Sequence, residues 1–141
     1  MIKIKVYTIG KTKESWLKEA LAEYEKRLQA GYSIQWFFAK DDSALCQMVE
    51  KENHFIALDL EGTLFSSPKL SSFLEKEVTA QGSSLTFLIG GATGIPEKLK
   101  QRAEHIISFS PLTFTHQMTR LILLEQLYRG AQIQKGTGYH K

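Results

Sequence analysis

The stretch Leu85-Thr86-Phe87-Leu88-Ile89-Gly90-Gly91-Ala92-Thr93-Gly94 decides the fold. Leu85 to Ile89 is a short run of apolar and β-preferring residues, as in a strand buried on both faces. It is too short for an ordinary helix, and it stops at a glycine cluster. A strand covered on both faces needs helices above and below it, which points to a parallel α/β sheet. The flanks agree. Downstream, Pro96-Glu97 opens a helix, Ile106 to Phe109 reads as a strand, and residues 114–130 form a long last helix. Upstream, Phe55 to Leu60 is a second continuous apolar run. Ser67-Pro68 then places a cap before a helix that carries Leu70, Phe73, Leu74 and Val78.

The first half continues the alternation. Ile2 to Ile9 is a β-branched strand with Ile2, Ile4 and Val6 on one face. Residues 13–29 read as a helix, with Trp16, Leu17, Ala20, Leu21, Tyr24 and Leu28 at helical spacing, Thr12 as its cap and Gly31 after its end. Ser33 to Phe38 is a strand. Asp41-Asp42-Ser43 offers caps for a short helix bearing Leu45, Met48 and Val49. No repeat or linker divides the 141 residues, so residues 1–141 read as a single α/β domain.

Composition excludes several classes. Hydrophobic residues are 43% and charged residues 23%, an ordinary globular balance that leaves out disordered and low-complexity chains. Apolar runs such as Leu121 to Leu124 are far shorter than a membrane span, and Met1-Ile2-Lys3-Ile4-Lys5 lacks the apolar core of a signal peptide. The expectation is a cytoplasmic protein with no membrane partner. The single cysteine, Cys46, excludes an internal disulfide and any multi-cysteine zinc site. His54, His105, His116 and His140 show no paired ligand spacing, so no metal is expected. The net charge of +3 is local: Arg120, Arg129, Lys135 and Lys141 face one acid, Glu125, in residues 111–141, whereas residues 1–110 balance. A basic end suits an anionic partner; it also suits a solvated tail.

Ligands of parallel α/β sheets bind at the carboxyl ends of the strands. Three such ends can share one pocket: Leu58 to Gly62, Ile89 to Gly94, and Phe109 to Phe114. The glycine loop is neither a P-loop, since Ile95 stands where a glycine is needed, nor a G-x-G-x-x-G turn, since its glycines fall at 90, 91 and 94. It fits either a close approach to a ligand or a tight strand-to-helix turn. Asp59 and Glu61 fall on one side of an extended chain and read as an acid–base pair or as solvated loop acids. In the last helix, apolar positions cover more than one stripe, which suggests burial on two sides, the second against another subunit. Arg120 and Arg129 interrupt that surface and are expected at its edge, holding a carboxylate or phosphate. Gly136 and Gly138 make the tail before Tyr139-His140-Lys141 read as flexible.

The order of Leu58 to Gly62, Phe87 to Gly94, Ser108 to Gln117, Arg120 to Arg129 and the terminal Tyr139-His140-Lys141 resembles one family. Ile4 to Gly10 and Tyr24 to Leu28 fit it too. It is the bacterial ribosomal RNA large-subunit methyltransferase H family, SPOUT-class enzymes that methylate N3 of a pseudouridine with S-adenosylmethionine. The chain departs from the family's pattern at Thr115, where proline is usual, and at Gly130, where alanine is usual.

The resemblance implies a C-terminal trefoil knot, a homodimer with the last helices at its interface, and ribosomal RNA in the assembled ribosome as substrate. It implies a cofactor pocket lined by Leu58, Gly90, Phe109, Ser110, Pro111, Leu112, Thr113 and Phe114. Arg129 would stabilise the developing anion, His140 would accept the proton or contact RNA, and Tyr139 would stack or position. His116 and Arg120 would position RNA or order the site. The tail would fold over cofactor and base, in cis or from the partner subunit. Three rivals remain at this point: a SPOUT methyltransferase of transfer RNA, a non-catalytic ribosome-binding factor, and an unrelated small-molecule α/β enzyme.

Overall fold

The computed structural model describes residues 1–141. Strands and helices alternate throughout: β1 (Ile2–Ile9), α1 (Ser15–Leu28), β2 (Tyr32–Ala39), α2 (Asp42–Val49), β3 (Ile56–Leu64), α3 (Ser67–Ala80), β4 (Ser84–Ile89), α4 (Glu97–Arg102), β5 (His105–Ser108) and α5 (His116–Lys135). The strands form one sheet in the order β2-β1-β4-β3-β5, and every neighbouring pair is parallel.

Period-two alternation along the strands divides the core in two. Ile4, Val6, Leu58 and Phe87 face α1, α3 and α5, where they meet Leu17, Leu21, Leu74, Leu124 and Leu127. Tyr7, Ala57 and Leu88 face the other way, against Leu45 and Val49 of α2 and Leu99 of α4. Connections that step one way along the sheet, β1 to β2 and β3 to β4, carry their helix on the first face. Those that step the other way, β2 to β3 and β4 to β5, carry it on the second. A single crossover hand requires this division. The chain therefore leaves the ends of the neighbouring strands β3 and β4 toward opposite faces, and a crevice opens between them.

Several boundaries differ from the sequence reading. α1 starts at Ser15 behind Glu14, with no side-chain cap; Thr12 does not cap it. Trp16 is 53% exposed, and the buried stripe is Leu17, Leu21 and Leu28. Ser66, not Ser67, caps α3 by accepting from the Lys69 N–H, so Ser67 and Pro68 occupy its first turn. α5 continues past 130 to Lys135. Gly136, at φ +71°, closes it with its N–H on the carbonyls of Gln132 and Ile133. Thr115 caps its start by accepting from the Met118 N–H at 3.1 Å, so the departure from proline keeps a helix-initiating residue.

Candidate active site

The carboxyl ends of β4 and β5 and the middle of β3 enclose a cleft of about 370 Å³. Leu58 to Gly62, expected as a strand-end loop, lies within β3, where the pairing with β5 shifts register between Leu58 and Thr63. Leu58, Gly90, Phe109, Ser110, Leu112, Thr113 and Phe114 line it, as do His116 and Thr119 from the first turn of α5. Pro111, grouped with them from the sequence, does not line it. Gly90 has no room for a side chain, because a Cβ would sit 2.7 Å from the Ile95 nitrogen. The glycine loop is therefore both a tight turn and a wall of the cleft. The third loop is braced by its own serines: the Ser108 hydroxyl donates to the Ser110 carbonyl at 3.0 Å, and the Ser110 hydroxyl accepts from the Leu112 N–H at 2.9 Å. Asp59 and Glu61 do lie on one side, and Lys100 of α4 bridges them at 3.3 and 3.1 Å. Lys100 went unnoticed in the sequence, because nothing in its spacing ties α4 to residue 59.

Arg120 is not at an edge. Its side chain is wholly buried and pairs with no carboxylate of the chain. It donates to the Thr12 hydroxyl at 3.0 Å and to the carbonyls of Ile9 and Gly10 at 2.9 and 2.7 Å. Gln117 adds a bond to the Lys11 carbonyl and accepts one from the Lys13 N–H. Together they tie the end of β1 to the start of α5, and the Thr12 hydroxyl, two residues ahead of the α1 cap position, serves that tie. Burial pushes the Arg120 guanidinium down to about 10, still charged at neutral pH. Burial, then the Arg120 and Lys13 charges, lower His116, so the imidazole facing the cleft is neutral at pH 7.

Arg129, Tyr139 and His140 form a second cluster, none of them on the cleft. From Thr119 at the cleft to Arg129 is about 15 Å along the helix, at about 1.5 Å per residue. The tail is folded back onto α5. The Tyr139 hydroxyl donates to Glu125 Oε2 at 2.8 Å, and the Tyr24 hydroxyl of α1 donates to the same oxygen at 2.8 Å. Arg129 Nε donates to Glu125 Oε1 at 2.8 Å, and Arg129 Nη1 lies 3.2 Å from His140 Nδ1. The flexible, hinged tail expected from Gly136 and Gly138 is thus a docked segment: Gly136 serves as the α5 cap, and the Tyr139 side chain anchors the last residues.

Residues 2–140 match the family described as "Predicted SPOUT methyltransferase". The chain belongs to the SPOUT methyltransferase family. Within it, the chain is 48% identical to the ribosomal RNA large subunit methyltransferase H of Protochlamydia amoebophila, over the full length of both. It is 37% identical to the protein of that name from Streptococcus gordonii, covering 99% of this chain and all of the relative. A probable methylase family protein from Haemophilus influenzae shares the fold, with a TM-score of 0.61 at 13% identity over 98% of this chain and 70% of its own. No helix of this SPOUT chain is long and apolar enough to cross a membrane.

At the opposite ends of the strands, the structure brings together ligating groups that looked unrelated in the sequence. Glu77, Glu104 and His105 lie within 4.8 Å of one another. They are already paired, His105 with Glu77 and His54 with Glu104, each at 2.6 Å.

Proposed function

We propose that this SPOUT protein transfers a methyl group from S-adenosylmethionine to N3 of a pseudouridine in large-subunit ribosomal RNA. The observation that carries the reading is the cleft at the ends of β4 and β5 and the middle of β3, on a chain whose full-length relatives bear a ribosomal RNA methyltransferase name. The cleft suits the cofactor. Its volume lies in the range of about 300–1,000 Å³ usual for small-molecule sites. Leu58, Phe109, Leu112 and Phe114 supply apolar wall, and bare backbone at Gly90 permits close approach. When bound in the cleft, the cofactor would supply an electrophilic methyl, exchanging its carbon–sulfur bond for a bond to N3 as the N3 proton is lost. The protein aligns the base and stabilises negative charge on its carbonyl oxygens. Arg129 is suited to that charge, Tyr139 to positioning, and His116, neutral and on the cleft, to holding RNA.

One chain keeps its cleft and its Arg129–Tyr139–His140 cluster apart, so the reading includes a homodimer in which the cluster of one protomer completes the cleft of its partner. Met118 and Ile122, half-exposed on the side of α5 away from its buried stripe, suit that interface. The reading also includes the trefoil knot. Its support is the tight passage of β3 past β5, where a Cβ on Gly62 would lie 2.7 Å from the Ile106 carbonyl oxygen. A surplus of +3 is small for gripping naked RNA, so the assembled ribosome in the cytoplasm is the proposed substrate.

The test is methyl transfer from labelled cofactor to ribosomes lacking the modification, with the product nucleotide mapped by mass spectrometry. Label on a large-subunit pseudouridine is expected. Label on transfer RNA instead, or cofactor binding with no transfer to any RNA, would overturn the reading.

A further inference from the structure

We infer that Glu125 is the positioning residue of a preassembled unit in which Arg129 holds His140 as its Nε2–H tautomer, so that His140 meets the substrate as a hydrogen-bond donor and not as a base. The inference deepens the reading above and rests on it for the roles of Arg129 and His140.

The chemistry of the donors fixes the tautomer. A guanidinium can only donate. With Arg129 Nη1 at 3.2 Å, His140 Nδ1 must present a lone pair. The proton of the neutral ring then sits on Nε2. An imidazolium, with hydrogens on both nitrogens, would set N–H against N–H at this contact.

Glu125 makes the arrangement rigid. Oε1 takes Arg129 Nε and fixes the guanidinium plane, while Oε2 takes the hydroxyls of Tyr24 and Tyr139. Tyr139 precedes His140, so anchoring its hydroxyl places the imidazole against Arg129. The Tyr139 ring lies under the guanidinium, 4.8 Å from its carbon, and meets Tyr128 edge-on at 4.9 Å. From α1, Arg27 stacks over Tyr24 and Tyr128, at 5.1 and 5.6 Å. Glu23, one turn earlier on α1, accepts from Arg27 Nε at 2.8 Å. Burial opposes the Glu125 charge, but the hydrogen bonds from Tyr139, Tyr24 and Arg129 more than reverse it and hold the carboxyl below its ordinary range. The acceptor is therefore ionised throughout the working pH range. Two donors remain for the oxygens of the uracil anion: Arg129 Nη2, which no hydrogen bond within the chain uses, and His140 Nε2–H. The N3 proton goes to solvent.

The experiment is a long-range proton–nitrogen correlation spectrum of the nitrogen-labelled full-length protein at mildly alkaline pH, for wild type and Glu125→Gln. Wild type is expected to show His140 as Nε2–H. In Glu125→Gln one acceptor oxygen becomes an NH2, which cannot accept from Arg129 Nε or from the tyrosine hydroxyls; the guanidinium is held less firmly against His140, and a mixture of tautomers is expected. A wild-type Nδ1–H ring or an imidazolium would overturn the inference, whether or not the protein methylates ribosomes. Turnover supplies the second readout. Glu125→Gln and His140→Ala should each lose about 10²-fold in kcat, the scale of one oxyanion donor, with the Kd for S-adenosylmethionine unchanged. His140→Gln, which keeps an N–H donor and has no base, should stay within about tenfold of wild type. Equal loss in His140→Gln and His140→Ala would overturn the donor role. A wild type that methylates nothing would sink the proposed function and leave the tautomer to be decided by the spectrum.

Discussion

The Arg120 guanidinium reaches from α5 to the Thr12 hydroxyl and to the carbonyls of Ile9 and Gly10, groups that a strand end would otherwise turn to water. Arg120→Met would remove three hydrogen bonds to part-buried acceptors, and a loss on the order of 3 kcal/mol in urea denaturation is expected. Arg120→Lys should recover only part of it, because an ammonium cannot reproduce the guanidinium fork. Further back along β1, Glu52 accepts from the Tyr7 hydroxyl at 2.6 Å and from Lys5 Nζ at 3.0 Å. Burial opposes its charge, but those two donors more than reverse the effect and lower its carboxyl. A carboxyl lowered on folding stabilises the protein above its unfolded value, near 4.5, and loses that contribution as pH falls through its folded value. Glu52→Gln should therefore reduce stability near neutrality and flatten the acid limb of a denaturation profile. An unchanged acid limb would mean that Glu52 does not shape it.

Among the elements, α5 joins the fold to the site. Its buried stripe, Arg120, Leu123, Leu124, Leu127 and Gly130, recurs at three- and four-residue spacing against α1 and α3. The two-sided apolar pattern read in the sequence resolves, within one chain, into this stripe and a half-exposed remainder. Gly130 rests on Ser71 of α3, whose hydroxyl donates to the Gly130 carbonyl at 3.2 Å. A Cβ there would meet Ser71 Oγ at 3.4 Å and Ser71 Cβ at 3.5 Å, ordinary contact. Gly130→Ala should therefore gain about 0.5–1 kcal/mol from the smaller backbone entropy of the unfolded chain. A destabilised variant would mean that the α3–α5 contact is tighter than these distances allow.

For the whole molecule, the separation of cleft and tail cluster has a direct consequence. If the site is composite, a protomer with its cleft filled by Thr113→Trp and a protomer carrying Arg129→Ala are each inactive alone and complement when mixed. Random exchange makes half the dimers mixed, each with one intact site, so about a quarter of the wild-type sites should return. A site formed within one protomer would give none.

The chain's own pattern determined the parallel α/β class, the ten elements and the segments that line the cleft, because apolar periodicity, caps and glycine clusters are local properties; that Leu58 to Gly62 belongs to β3 and is not a loop, the structure decided. The pattern left the glycine loop open between a tight turn and a close approach to a ligand; the backbone contacts at Gly90 show the turn. What only tertiary structure decided lies across long chain separations: Arg120 buried on Ile9 and Gly10, Lys100 between Asp59 and Glu61, and the tail held by Glu125 and Tyr24. Spacing along a chain records which face a residue takes; it does not record which distant carbonyl or carboxylate that face will meet. Arg120 and Arg129, alike in the sequence as charges on an apolar helix, show the difference. Packing of α5 against the end of β1 buried one, and the return of the tail left the other with a nitrogen free to donate.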